Sequence, residues 1–261
     1  MRRRLAIMLP PLALLIALIG AWELYVDLGG VDPVLLPAPH SVASTAWSEA
    51  GLLWRNTLVT LKEVALGLAL AVAAGFALAV AIHLWHPVRR SVYPLAIGSQ
   101  ALPFAVLAPV LAFWLGFGIL PKLVVIGLIC FFPVTVTTVD GLNAVDPDQV
   151  KLLRTLDASR WQAFRFGELP AALPAALSGA RIALVVAWIS AFIAETSSPT
   201  VGPYAGLGRE ITTDIGASVN PAGAAAGTAV LFVCSITFFY LLSLAEHRLA
   251  GWAQPQQGEN R

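Results

Sequence analysis

The residues of this chain that could do chemistry are few, and their spacing argues against most reactions. Only three lysines occur, Lys62, Lys122 and Lys151, and none follows a glycine. The phosphate cradle G-x-x-x-x-G-K-[ST] is therefore absent, and a nucleotide would have to be bound by a partner chain. His83 and His86 stand three positions apart at a helix end without acidic companions, so they read as histidines of a membrane interface and not as a metal site. Cys130 and Cys234 both lie in apolar runs and read as small buried hydrophobes, not as a disulfide or thiolate pair. Neither G-x-S-x-G nor H-E-x-x-H occurs. The expectation is a chain that does no covalent chemistry, with no catalytic residue, no cofactor and no metal.

What remains are polar groups in apolar surroundings, which suit passage, packing or docking. Ser99, Gln100, Pro103 and Pro109 share one apolar stretch that also holds Pro94. Prolines free backbone carbonyls, which at membrane depth must be satisfied by neighbours or by water lining a cavity. These four residues are candidates for a solute path, with a merely kinked helix as the alternative. Glu195 joins them as the acid to weigh. It lies 14 residues after Arg181, about 21 Å along a helix. Buried, it is a functional candidate; at the membrane edge, it is paired or wet. Ala69, Ala73, Ala77 and Ala81 recur every four residues beside a row of Ala71, Gly75 and Ala79, and small residues at that spacing let helices approach closely.

The elements that must position these groups follow from composition. Of 261 residues, 58% are hydrophobic and 12% charged, against roughly 25% charged in a soluble domain. This is an all-α polytopic membrane protein by composition, and its net charge of +1 gives no reason to expect nucleic acid as a partner. Six segments approach the roughly 20 apolar residues a span needs: 5–26, 58–82, 93–115, 120–139, 177–193 and 222–244. Only Gly116, Gly118, Pro121 and Lys122 separate the third from the fourth, so a re-entrant hairpin is the alternative there. Arg2, Arg3 and Arg4 before an apolar run have the layout of a signal peptide, but no A-x-A site follows. An uncleaved first helix is preferred, with Pro10 and Pro11 in its first turn or at a kink. The basic residues gather on one set of loops, which places both termini in the cytoplasm. Residues 37–54, with Trp47 and Trp54, read as a short external helix on the bilayer or as a plain loop. Residues 197–221 read as an external loop.

The longest polar interruption, residues 146–174, carries Lys151, Arg154, Arg160 and Arg165 between two apolar runs. Asp146 reads as an N-cap with Pro147 in the first turn, so the spacing predicts a helix to about Leu156. Asp157 breaks it, and Ser159 with Gln162 has the form of a capping box that starts a second helix. Gly167 is expected to close that helix in the left-handed conformation, and Pro170 and Pro174 to stop any continuation. Two short helices with exposed Arg, Trp and Phe form a knob suited either to a soluble partner or to lipid headgroups.

Residues 152–184, LLRTLDASRWQAFRFGELPAALPAALSGARIAL, resemble the cytoplasmic EAA loop of ABC importer permeases. LPAPHSV at 36–42, TLKEVALGLALAV at 60–72, LPFAVLAPVLAFWLGFGILPK at 102–122 and the later AET and GLG resemble the group handling nitrate, sulfonates, taurine and bicarbonate. The resemblance covers residues 36–252. It departs from the pattern where Lys151-Leu152-Leu153 stands for Glu-Ala-Ala and Asp157 for Gly. It implies a type I importer permease of about six helices, with residues 1–35 as a first helix and turn, 36–252 as the permease domain and 253–261 as a polar tail. It also implies that residues 158–166 are a coupling helix entering a groove of an ATPase, with Arg154, Asp157, Ala158, Ser159, Arg160, Trp161 and Phe164 in the coupling loop. The implied partners are two ATPase copies, a second permease copy, an extracytoplasmic solute-binding protein and lipid, in a prokaryotic inner membrane. The implied solute is a small organic or inorganic anion such as a sulfonate, taurine, nitrate or bicarbonate. An ATP-independent transporter or channel is the alternative, against which the scarcity of charge in the spans counts.

Overall fold

The computed structural model describes residues 2–99, 103–197, 202–216 and 220–249, and every regular element among them is helical. In chain order these are α1 (Arg2–Gly29), α2 (Pro39–Ser48), α3 (Ala50–Leu84), α4 (His86–Ser99), α5 (Phe104–Leu115), α6 (Ile119–Asn143), α7 (Pro147–Thr155), α8 (Arg160–Ala163), α9 (Leu169–Ser197), α10 (Leu207–Gly216) and α11 (Pro221–Leu249). A π-helical turn, Phe164–Glu168, joins α8 to α9, and a 3₁₀ turn, Gly202–Tyr204, precedes α10. The expected tail at 253–261 lies outside the described residues.

Among the described residues, five stretches are long and apolar enough to cross a bilayer: Leu9–Gly29, Ala50–Leu84, Ile119–Asn143, Arg160–Ser197 and Pro221–Leu244. The single span expected over 93–115 is divided instead between α4 and α5. At 12 residues, α5 is about 18 Å long, short of a hydrocarbon core of roughly 30 Å. Pro103 stands at its start, without the N–H that a helix continuing through that point would use.

The chain forms two compact units. One gathers the described residues of Met1–Val59 and Ala205–Val233. Its core is Leu53, Leu207 and Ala226, flanked by Val42, Ala46, Val230 and Leu231. The expected short helix exists as α2, whose first turn is tied to α1: Glu23 accepts the His40 backbone N–H at 3.2 Å and pairs with the His40 ring. Across the same unit, Asn56 donates to Glu210 at 3.1 Å and Asn220 to Glu49 at 3.3 Å.

The other unit gathers the described residues of Thr60–Tyr204 and Cys234–Arg261, and its frame is α3, α6 and α9. Backbones approach closely where side chains are absent: a Cβ on Gly75 would meet the Phe131 carbonyl oxygen at 2.6 Å. Thr135 Oγ1 of α6 stands 3.2 Å from the Gly75 carbonyl and 2.9 Å from that of Phe131, and Cys130 Sγ donates to the Ala183 carbonyl of α9 at 3.4 Å. Trp188 meets Phe238 of α11 edge to face, with centroids 5.8 Å apart. Of the two small-residue rows on α3, Gly67, Ala71, Gly75 and Ala79 are buried, whereas Ala69, Ala73 and Ala77 are exposed and Ala81 is half-buried. Residues two positions apart lie about 200° around a helix, so the rows that look adjacent in sequence are on opposite faces.

Candidate functional site

The polar block begins as its capping residues dictate. Asp146 accepts the Asp148 N–H at 2.8 Å, Pro147 opens α7, and Asp157 takes up the break with φ of 58°. Asp is among the non-glycine residues that tolerate this left-handed region. Ser159 and Gln162 form the expected capping box, with both of its hydrogen bonds present.

Beyond Ala163 two expectations fail. Gly167 is not left-handed, and Pro170 and Pro174 do not end the helix, because the chain passes through a π turn directly into α9. In that turn the Leu169 N–H reaches back five residues to the Phe164 carbonyl. Pro170 stands at the second position of α9, directly after the π turn. Gly167 serves close packing instead, since a Cβ there would stand 2.6 Å from Leu153 Cδ1.

The block is anchored on one face and open on the other. Phe164 is buried with Leu142 and Ala172, against Val80, Leu84 and Leu169, and Trp161 stacks near it at 5.4 Å. Arg160 Nη2 donates to the Leu84 carbonyl at 2.8 Å, and His83 Nε2 pairs with Glu168 Oε2 at 2.7 Å. An arginine on the last carbonyls of α3 satisfies an orphan acceptor and opposes the negative end of the helix dipole. His83, expected without an acidic companion, thus has one in Glu168 and belongs to the base of the block. On the open face Leu152 is 63% exposed, Leu156 73%, Trp161 56% and Phe166 69%, with Arg154 and Arg165 among them.

A second constellation lies at the start of α6 and the end of α9, against the first half of α3. Glu63, Lys122 and Glu195 have 0%, 1% and 0% exposure. Lys122 Nζ donates to Glu63 Oε1 at 2.8 Å and to the Tyr204 carbonyl at 2.6 Å, and Thr60 Oγ1 donates to Glu195 Oε1 at 2.7 Å. Lys122, expected in a loop between spans, is in the first turns of α6. Glu63 escaped the sequence reading altogether. Its signal was a charge facing Lys122 across two apolar stretches, and a charge in such a stretch calls for a partner.

The path candidates scatter more widely. Pro103 and Pro109 are exposed, the Ser99 side chain is not described, and Gln100 lies outside the described residues. Ala108, beside Pro109, packs on Val125 and on Ala194, the neighbour of Glu195. Pro109 and the buried acid are thereby brought to one end of the same helix group.

The sequence profile described as "Binding-protein-dependent transport system inner membrane component" matches residues 67–251, which include the polar block together with Lys122 and Glu195 of the buried cluster. The chain belongs to this family. A probable ABC transporter permease of Haemophilus influenzae is 36% identical over 64% of this chain and 68% of its own length. The formylaminopyrimidine transport permease ThiX of Halalkalibacterium halodurans is 34% identical, over 63% and 66%. The taurine transport permease TauC of Escherichia coli is 28% identical, over 61% and 60%. The chain thus matches about two thirds or less of the length of these relatives. Among solved structures, an inward-facing MetNI methionine ABC transporter chain aligns with a TM-score of 0.66 at 17% identity, covering 80% of this chain and 99% of that one. A chain of an amino acid ABC transporter crystallised with histidines gives 0.64 at 21%, covering 77% and 96%. As a transport-system membrane component, the chain needs no catalytic residue of its own.

Proposed function

We propose that the chain is the permease subunit of an ATP-driven importer, working in a prokaryotic inner membrane with two ATPase copies, a second copy of itself and an extracytoplasmic solute-binding protein. The observation that carries the reading is the open face of the polar block. Leu152, Leu156, Trp161 and Phe166 present exposed apolar surface beside the exposed Arg154 and Arg165. Aromatic residues and arginine are the types that anchor protein interfaces. The excess of basic residues on this side supports a cytoplasmic position, where an ATPase would dock. ATP-driven closure of the two ATPases then displaces residues 158–166, and the buried base of the block carries the displacement into α3, α6 and α9.

Two of the relatives named above are permeases for solutes as different as formylaminopyrimidine and taurine. The solute class accordingly takes in small organic solutes beside the small organic and inorganic anions, with the choice made chiefly by the binding protein. The test is reconstitution in liposomes with and without the co-encoded ATPase, using the solute that co-purifies with the binding protein. Uptake is expected only with ATPase and ATP; uptake without either would favour a secondary transporter or channel.

A further inference from the structure

From the C-terminus of α3 back to Thr60, the helices α3, α6 and α9 are linked at three levels. At the polar block, Arg160 holds Leu84, Glu168 holds His83, and Phe164 packs with Leu142 and Ala172. Midway, Thr135 meets the Gly75 carbonyl and Cys130 that of Ala183. At the far end, Thr60 binds Glu195 and Glu63 binds Lys122, which also holds the Tyr204 carbonyl. From Leu84 to Thr60 is about 36 Å along α3, most of a bilayer including its headgroups.

We infer that Lys122 is a positioning residue for transport: it pins the start of α6 and the Glu63 turn of α3 to the segment holding Tyr204, so that a displacement of the polar block is delivered there. The inference rests on the permease reading above.

The chemistry favours this over a purely stabilising role. A buried ion pair holds a fold no better than well-packed apolar side chains of like volume, because desolvation offsets the attraction. What it adds is direction. Two bonds below 3 Å from one ammonium fix three segments in register, whereas apolar contacts would let them slide. A contiguous run of hydrogen bonds and packed side chains is also the kind of network through which distant sites can be coupled.

The test uses the complete complex with its ATPase and the co-encoded solute-binding protein, taken as purified with its own ligand. The double variant Glu63→Gln/Lys122→Met removes the ionic pin while leaving no unpaired charge from the pair, and Lys122→Arg keeps the cation. The double variant is expected to assemble with the ATPase and to hydrolyse ATP at the basal rate, while stimulation by the binding protein falls about tenfold, within the range usual for coupling between sites. Lys122→Arg is expected to recover most of the stimulation. Normal stimulation in the double variant would overturn the inference. So would loss of ATPase co-purification, which would make Lys122 a residue of general structure. A wild-type complex that neither binds an ATPase nor responds to the binding protein would instead overturn the permease reading, and this inference with it.

Discussion

The Arg160 guanidinium closes the C-terminus of α3, donating to the Leu84 carbonyl at 2.8 Å, while the adjacent Trp161 leaves 56% of its surface open. Neighbouring residues of one short helix therefore serve different ends: Arg160 ties the block to its own chain, and Trp161 is available to a partner. Arg160→Ala should lower unfolding stability by about 1 kcal/mol, a charged hydrogen bond discounted for exposure. ATPase co-purification should persist. Thermal unfolding of the purified chain, followed by pull-down, reads both quantities.

The buried cluster contains two acids and one base, and this decides which single substitutions are costly. Lys122→Met strips Glu63 of its cation and should destabilise by about 3–5 kcal/mol, as breaking a buried pair does. Glu195→Gln keeps an oxygen for the Thr60 hydroxyl and removes one of two acids, so it should cost far less. Melting temperatures in detergent would separate the two variants, and equal losses would contradict the charge count.

Substitutions on α3 should sort by row. Ala71→Leu introduces bulk at a position 1% exposed and should cost about 1–3 kcal/mol by overpacking. Ala73→Leu, on the exposed face, should leave the isolated chain's stability unchanged. A fluorescence melt of each variant provides the comparison.

How far the sequence discloses this arrangement depends on the range of the interaction. Local rules served well at Asp146, Ser159 and Gln162, because caps and boxes are closed by residues two or three positions away. They failed at Gly167 and Pro170, where the backbone answers to packing: Leu153 excludes a side chain at 167, and burial of Phe164 keeps the helix running into α9. The spans were legible from apolar runs except at 93–115, where uninterrupted hydropathy hid the start of α5 at Pro103. Glu63 and Lys122 are 59 positions apart. No periodicity within either helix announces that they meet.

Two groups outside the spans should make stability depend on pH, with opposite courses after substitution. The Glu23 carboxylate bonded to His40 raises the imidazole above its ordinary value of 6.5. The folded state therefore holds that proton more tightly, and the contribution is fully present below pH 6.5 and lost as pH rises through the folded value. Burial, then the Asp214 carboxylate, raise Glu210 above its ordinary 4.5. Its folded state also binds the proton more tightly, so stability falls as pH climbs from 4.5 through the raised value. His40→Gln should flatten the first loss. Glu210→Gln should remove the second and raise stability at neutral pH. Melting curves across pH 4 to 9 in about single-unit steps would show both effects.

The central claim is that the open face of the polar block receives an ATPase, and co-purification of the co-encoded ATPase with a Trp161→Ala/Phe166→Ala chain tests it most directly. These side chains are 56% and 69% exposed, so the fold should survive their truncation. The predicted result is a normally folded chain from which the ATPase is lost or bound at least tenfold more weakly, in keeping with anchors worth about 1–2 kcal/mol or more each. Undiminished binding of the ATPase to the folded double variant would contradict the account.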